Sequence, residues 1–172
     1  PLIAAWISCF VAVGLGIQSD NLVLGLFGGL LLAGGFTFMA WAAPASRATA
    51  TFSGVALMSL VGLHIHLVRG ATEIHFGVFA LLAALVVYRD WLPVVVGATT
   101  IAVHHAAFLW MQLNGWGVYC FTQPSLVQLI EHAAYVVVEA GLLVYLAEQM
   151  RADERRHLDV EALIDAVVIE EH

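Results

Sequence analysis

Six apolar stretches, each long enough to cross a lipid bilayer, recur along this chain. They cover about residues 2–18, 22–42, 52–69, 73–89, 91–112 and 126–148. A helix that rises about 1.5 Å per residue needs about 20 residues to span roughly 30 Å of hydrocarbon. Hydrophobic residues make up 62% of the chain and charged residues only 11%, which is outside the range of soluble globular proteins. The sequence therefore predicts an all-α integral membrane bundle of six transmembrane helices.

The distribution of arginine predicts the orientation in the membrane, because the sequence contains no lysine. If both termini are cytoplasmic, Arg69 lies on the outer side. The other arginines then lie on the inner side: Arg47, Arg89, Arg151, Arg155 and Arg156. This arrangement satisfies the positive-inside rule. We expect a multi-pass membrane protein with both termini cytoplasmic.

A charged segment follows the sixth span and predicts a second unit. Residues 1–148 form the transmembrane domain in this interpretation, and residues 149–172 form a cytoplasmic stalk. Apolar residues recur in the stalk at three-to-four spacing: Val160, Leu163 or Ile164, and Val167. Such spacing suits an amphipathic or coiled-coil stalk, or a solvated terminal helix. We expect a cytoplasmic output domain beyond the stalk, which is absent from this sequence.

The net charge of −7 and the two cysteines exclude several classes of function. The negative charge comes largely from the stalk, and no basic patch indicates a nucleic-acid partner. Cys9 falls in the first apolar stretch and Cys120 in a loop, so the sequence predicts neither a disulfide framework nor a clustered thiolate site. We interpret both cysteines as structural or incidental.

Histidines are concentrated in the predicted spans. Six of the eight fall there: His64, His66, His75, His104, His105 and His132. Counted from the outer helix ends at about 1.5 Å per residue, all lie within roughly 12 Å of the outer surface, on helices three to six. Ionisable groups in hydrocarbon are costly, so a cluster of them indicates a functional site. The layer predicts a metal centre in the outer half of the membrane.

Haem b, one or two molecules with bis-histidine ligation, is the first cofactor that this layer suggests, because imidazole is a common ligand of haem iron. Ligands on opposite faces of a haem come more readily from different helices than from neighbours on one helix. His64 and His66 point about 200° apart around their helix, so they should not share one metal. Small or polar residues share the face of His66, which therefore ranks above His64. The contrast between His104 and His105 is weak.

Other interpretations of the histidine layer remain open. Copper or zinc would use the same imidazole ligands. Two or four histidines could coordinate the metal while the others orient those ligands through hydrogen bonds. Each histidine taken alone is also compatible with an interhelical hydrogen bond.

Other polar residues in the same layer are candidates for binding the cofactor. Arg69 could pair with a haem propionate, or it could form an interfacial ion pair with Glu73. On helix six, His132, Tyr135 and Glu139 have the spacing of one face. Glu139 near mid-membrane should be protonated or hydrogen-bonded, and could serve a proton step coupled to redox change. Tyr135 suits a hydrogen bond between helices.

Several motifs resemble a known class of sensors. They are HIHLVRG (64–70), EIHFGVF (73–79), YRDW (88–91), IAVHH (101–105), VYCF (118–121) and HAAYVVVE (132–139). In order and spacing they resemble the multi-pass sensor region of bacterial methyl-accepting chemotaxis proteins and diguanylate cyclases. The resemblance covers roughly residues 52 to 150. It implies a homodimeric sensory input module of the bacterial inner (cytoplasmic) membrane that feeds a signalling helix and an output domain.

We therefore expect a sensor and not an enzyme: a membrane input domain that binds haem b and reports redox or gas state to its output domain. One alternative keeps the sensor and replaces haem with copper or zinc. Another is a cytochrome b-like enzyme that moves electrons between quinone and a periplasmic partner. Charged stalks are less typical of such an enzyme.

Overall fold

The computed structural model describes residues 1–170, which form six α-helices. Their bounds are Leu2–Gln18 (α1), Leu22–Ala42 (α2), Arg47–Leu67 (α3), Thr72–Ala83 (α4), Trp91–Leu113 (α5) and Leu126–Glu170 (α6). A short 3-10 turn, Ala84–Tyr88, continues α4. The all-α prediction is confirmed, and each helix coincides closely with a predicted span.

Four helices have the length and composition to cross a membrane: α2, α3, α5 and the apolar part of α6. The other two apolar segments, Leu2–Gln18 and Thr72–Tyr88, are shorter. Hydrocarbon accepts a helix because the helix satisfies its own backbone hydrogen bonds. The structure thus supports a multi-pass membrane protein, and a full six-span topology stays a prediction.

α3 begins earlier than predicted, at Arg47 instead of about residue 52. Ser46 is the cap: its hydroxyl accepts a hydrogen bond from the Thr49 amide at 3.1 Å. The Thr49 hydroxyl in turn donates to the Ala43 carbonyl at 2.7 Å. A capping serine satisfies backbone amides that have no partner within the helix. We predicted that these short polar residues lie between two spans. They instead cap α3 and form its first turn.

α6 runs from the membrane into the stalk without a break over 45 residues. The boundary predicted at residue 148 therefore falls inside one continuous helix. Val160, Leu163 and Ile164 are exposed on the stalk. The side chain of Val167 and the final residues 171–172 lie outside the described residues. A continuous helix can carry a displacement from the membrane part to the stalk.

α3 lies at the centre of the bundle and is buried on both sides. The opposed faces of α3 that carry His64 and His66 are thus both packed against other parts of the chain. Its contact with α5 is close at Gly54, where an added β-carbon would lie 2.5 Å from the Pro93 carbonyl oxygen. Small residues at such crossings let helices approach closely in a membrane. The two helices also approach closely at Gly62, where a β-carbon would lie 2.9 Å from the His104 ring.

Candidate metal centre

Three histidines from three helices face one small cavity. His75 lies on α4, His105 on α5 and His132 on α6. The ring centroid of His75 is 5.1 Å from that of His132 and 5.4 Å from that of His105, and the remaining pair is 6.3 Å apart. All three line a cavity of about 30 Å³. A cavity of this size holds roughly one water molecule or one ion.

These three rings share a hydrogen-bonding pattern that leaves Nε2 free for a ligand. Each ring places Nδ1 against the backbone carbonyl four residues earlier, at 3.0 Å for His75 and His105 and 2.9 Å for His132. A carbonyl oxygen only accepts, so Nδ1 carries the hydrogen and Nε2 of the neutral ring has the lone pair. The His75 Nε2 is buried without a partner in the described part of the chain. Metal-binding histidines are typically oriented in this way.

Cys120 adds a sulfur atom to this group. It is fully buried on the loop between α5 and α6. The ligand atoms of His75, His105 and Cys120 all lie within 4.8 Å of one another. Burial raises the pKa of the Cys120 thiol to about 12, so without a metal the sulfur stays protonated. Our interpretation of Cys120 as merely structural overlooked this contact, for which the only sequence signal is its place in the VYCF motif.

Gln112 near the end of α5 holds the loop in place. Its side-chain oxygen accepts hydrogen bonds from the backbone amides of Cys120 at 2.9 Å and Phe121 at 3.2 Å, and its amide donates to the Phe121 carbonyl at 2.7 Å. Phe121 is fully buried and stacks on His75 with an interplanar angle of 8°. The loop backbone also packs on Gly70, where a β-carbon would lie 2.5 Å from Phe121. Sequence reasoning did not single out Gln112 or Phe121.

His66 and His104 lie together elsewhere, in a groove of about 370 Å³. The His66 Nδ1 accepts a hydrogen bond from the Tyr119 amide at 3.1 Å. Its hydrogen is therefore on Nε2, the opposite arrangement from the metal-facing rings. The two ring nitrogens of His104 are buried and have no partner in the described part of the chain. These two histidines do not join the group around the small cavity.

His64 is separated from both groups. It is only 5% exposed, and its Nε2 donates a hydrogen bond at 2.8 Å to the Ser8 carbonyl of α1. The structure therefore places His64 in an interhelical hydrogen bond. An interhelical hydrogen bond is the alternative to metal binding that the sequence left open for each histidine taken alone.

Arg69 and Glu73 are exposed, just after α3 and in the first turn of α4. The Arg69 guanidinium lies 5.8 Å from the centre of the Tyr119 ring, in cation–π geometry. Among the described residues, the ion pairs found do not include one between Arg69 and Glu73. Both residues border a separate surface groove, and the described lining of that groove includes no histidine.

The candidates on α6 do not act as one group. Tyr135 is 71% exposed and points away from the small cavity that His132 lines. Glu139 is half-buried, and one of its carboxylate oxygens is buried without a partner in the described part of the chain. His132 and Glu139, seven residues apart, therefore share the inward side of the helix, while Tyr135 does not.

The resulting donor set favours a small transition-metal ion. It combines two buried imidazoles and a thiol with a third imidazole at the edge of the cavity. Thiolate and imidazole together suit copper and zinc. A buried group of this kind could hold a metal ion.

Comparison with known proteins adds no relative: no family model, curated protein or solved structure matches this chain.

Proposed function

We propose that this protein is the sensory input domain of a bacterial membrane signalling protein and that it binds a copper or zinc ion. The ligands are His75, His105 and Cys120, with His132 as the fourth. One observation carries the proposal: two helices and a loop bring three ligand atoms within 4.8 Å of one another in a buried place. Groups so far apart in sequence meet there only because of the tertiary fold.

The geometry needs only a small adjustment to coordinate an ion. In a tetrahedral site, metal–nitrogen distances of about 2.0 Å and metal–sulfur distances of about 2.3 Å put ligand atoms roughly 3.3 to 3.7 Å apart. The present separations of up to 4.8 Å exceed this by about 1 Å. Binding would deprotonate the Cys120 thiol and draw the ligands together.

Haem b is disfavoured at this position by the size of the cavity. About 30 Å³ among the three histidines has room for an ion and not for a macrocycle. Phe121 fills the space beside His75, where a flat ring would have to lie. We therefore prefer the metal-ion alternative to the haem prediction, which nothing at this cavity supports.

α4 offers a route from the metal to the stalk. His75 lies in its first turn, and the 3-10 turn at its other end leads to Arg89, which has a left-handed backbone with φ of 50°. The Arg89 guanidinium forms an ion pair with Glu154 on the stalk part of α6. A metal that favours one position of α4 would shift this contact, since a ligand moves an equilibrium only by binding one state better. The homodimer and the output domain in cis stay predictions from the resemblance.

Elemental analysis of the purified full chain tests the metal site. After expression with added copper and zinc, we expect about one metal ion per chain. Cys120→Ser should lose most of this metal, whereas Cys9→Ser, at the other buried cysteine, should retain it. Equal retention in both variants, or no metal in the wild type, would contradict the proposal. An absorption spectrum of the same sample should lack a Soret band.

A further inference from the structure

A second cavity opens between α2, α3 and α5, outside the metal group. It has a volume of about 370 Å³, within the range of small-molecule sites. Six residues carry its chemistry: Ser59, Gly62, His66, Thr100, His104 and Phe108. Leu24 on α2 and Val118 on the loop complete an apolar rim. The groove is accessible from the side of the bundle, where we expect lipid.

His104 is the most unusual residue in this groove. Both ring nitrogens are buried, and neither has a hydrogen-bond partner in the described part of the chain. A neutral imidazole carries one donor and one acceptor, and burying them unpaired is costly. The other histidines in the predicted spans each have at least one ring hydrogen bond. A bound molecule with polar atoms would satisfy His104.

His66 supplies a second, defined donor. Because its Nδ1 accepts the Tyr119 amide, its hydrogen is on Nε2, for which the described residues provide no acceptor. A neutral ring in this tautomer cannot offer Nε2 to a metal. The residue therefore suits a ligand that accepts a hydrogen bond, such as a carbonyl oxygen.

The walls of the groove suit a flat ring. Phe108 lies 4.0 Å from the His104 ring, centroid to centroid, at an angle of 30°. Gly62 packs against the same imidazole, and a β-carbon there would lie 2.9 Å from two atoms of the His104 ring. Because the imidazole is packed against both Gly62 and Phe108, the open part of the groove lies beside that ring, where Ser59 and Thr100 have small side chains.

We propose that this groove binds the head group of a membrane quinone. Quinones combine a flat apolar ring, which suits the apolar part of the groove beside Phe108, with carbonyl oxygens that only accept hydrogen bonds. His66 Nε2–H donates to one carbonyl, and the His104 ring, whose nitrogens are buried, shifts to bring its N–H to the other. The isoprenoid tail leaves the groove along the apolar rim toward lipid. This site is separate from the metal centre, and it does not depend on the metal proposal.

Binding of ubiquinone-2 to the full chain in lipid nanodiscs tests this proposal. We expect saturable binding above the partitioning into empty nanodiscs. His104→Phe retains an aromatic ring and removes both nitrogens, and should weaken binding about tenfold or more, as expected when a buried hydrogen bond is lost. Gly62→Ala should weaken it by crowding the ring. Gly34→Ala is the control, because a β-carbon there meets no atom within 4 Å.

Metal content and thermal unfolding measured on the same samples separate the two sites. His104→Phe and Gly62→Ala should retain the metal, and Cys120→Ser should retain quinone binding. If His104→Phe fails to fold, His66→Phe provides the same test. Wild-type affinity in His104→Phe or His66→Phe, or uptake no greater than that of empty nanodiscs, would overturn the proposal. So would a Soret band that disappears in His104→Phe, which would identify haem in the groove.

Discussion

His104 and His105 are neighbours in sequence, yet they belong to different sites. The His105 ring bonds through Nδ1 to its own helix and presents Nε2 to His75 and Cys120. The His104 ring lies beside Phe108 with both nitrogens unpaired among the described residues. One helix therefore presents a histidine with a free Nε2 to the metal group on one side. On the other side it presents an imidazole whose nitrogens have no hydrogen-bond partner among the described residues.

The loop between α5 and α6 contacts both sites through consecutive residues. The Tyr119 amide bonds to His66 in the groove, whereas Cys120 carries the sulfur of the metal group. Gln112 anchors the same loop by three hydrogen bonds. Displacement of the loop backbone should therefore affect both sites, whereas changes in the helices can affect one alone.

The largest effect is expected where the loop packs on Gly70. Gly70 has φ of +80°, and a β-carbon would lie 2.5 Å from the Phe121 backbone. Gly70→Val should therefore displace the loop, cost about 3 kcal/mol or more in unfolding free energy, and abolish binding at both sites. Thermal unfolding and metal content measure this.

Gly117→Ala is the matched control, since Gly117 has φ of +71° but open space around it. Its strain alone should cost about 1 kcal/mol and leave the metal bound. If Gly70→Val retained both ligands, the loop would not be their common support.

The next effect is expected at the metal site. Gln112→Leu leaves the Cys120 and Phe121 amides without their acceptor and should weaken metal binding about 10- to 100-fold, as for other residues that orient ligands. Competition with a metal chelator measures the affinity. Gln123→Leu, an exposed change in the same loop, should have no effect. Unchanged affinity in Gln112→Leu would show that the thiol position does not depend on this anchor.

A smaller effect is expected at the end of the bundle that carries Asp90, far from both sites. Partial burial favours the neutral form of Asp90, but hydrogen bonds from Arg47 and the Leu92 amide outweigh it and lower the pKa of Asp90 below its ordinary value. The stabilisation is therefore fully present above the ordinary carboxyl pKa and is lost as the pH falls through the lowered one. Asp90→Asn should cost about 1 kcal/mol at pH 7 and nothing in strong acid.

Chemical unfolding at several pH values measures this dependence. Asp90→Asn should leave binding of both metal and quinone unchanged. A loss of either ligand would show that the end of the bundle around Asp90 influences binding at the histidine layer.

The smallest effect on stability is expected at Glu154. Its ion pair with Arg89 is partly exposed on both sides, so Glu154→Gln should cost less than about 1 kcal/mol and retain both ligands. If α4 carries the signal, this variant should nevertheless lose the metal-dependent change in the stalk, measured by spin-label distances across α6. Asp153→Asn removes an exposed pair within the stalk and is the control. A normal response in Glu154→Gln would exclude this route.

The sequence predicts one layer of histidines, whereas in the tertiary structure these histidines belong to separate sites. Depth along a helix follows from counting residues, so the common level of His66, His75, His104 and His132 was predictable. The rotation of each helix about its axis was not, because weak polar contrasts such as that between His104 and His105 do not define a face. Cys120 was overlooked because a loop residue has no periodic pattern that reveals its neighbours.

By itself the sequence determined six helical segments and nearly all their bounds, because apolar length and short polar breaks act locally. It also determined that imidazoles concentrate toward one end of the bundle. Only the tertiary structure decided which imidazoles share a cavity, which nitrogen each leaves free, and that Cys120 joins them. Those features depend on helix rotation and on the path of one loop, and both are set by packing between residues that are far apart in the chain.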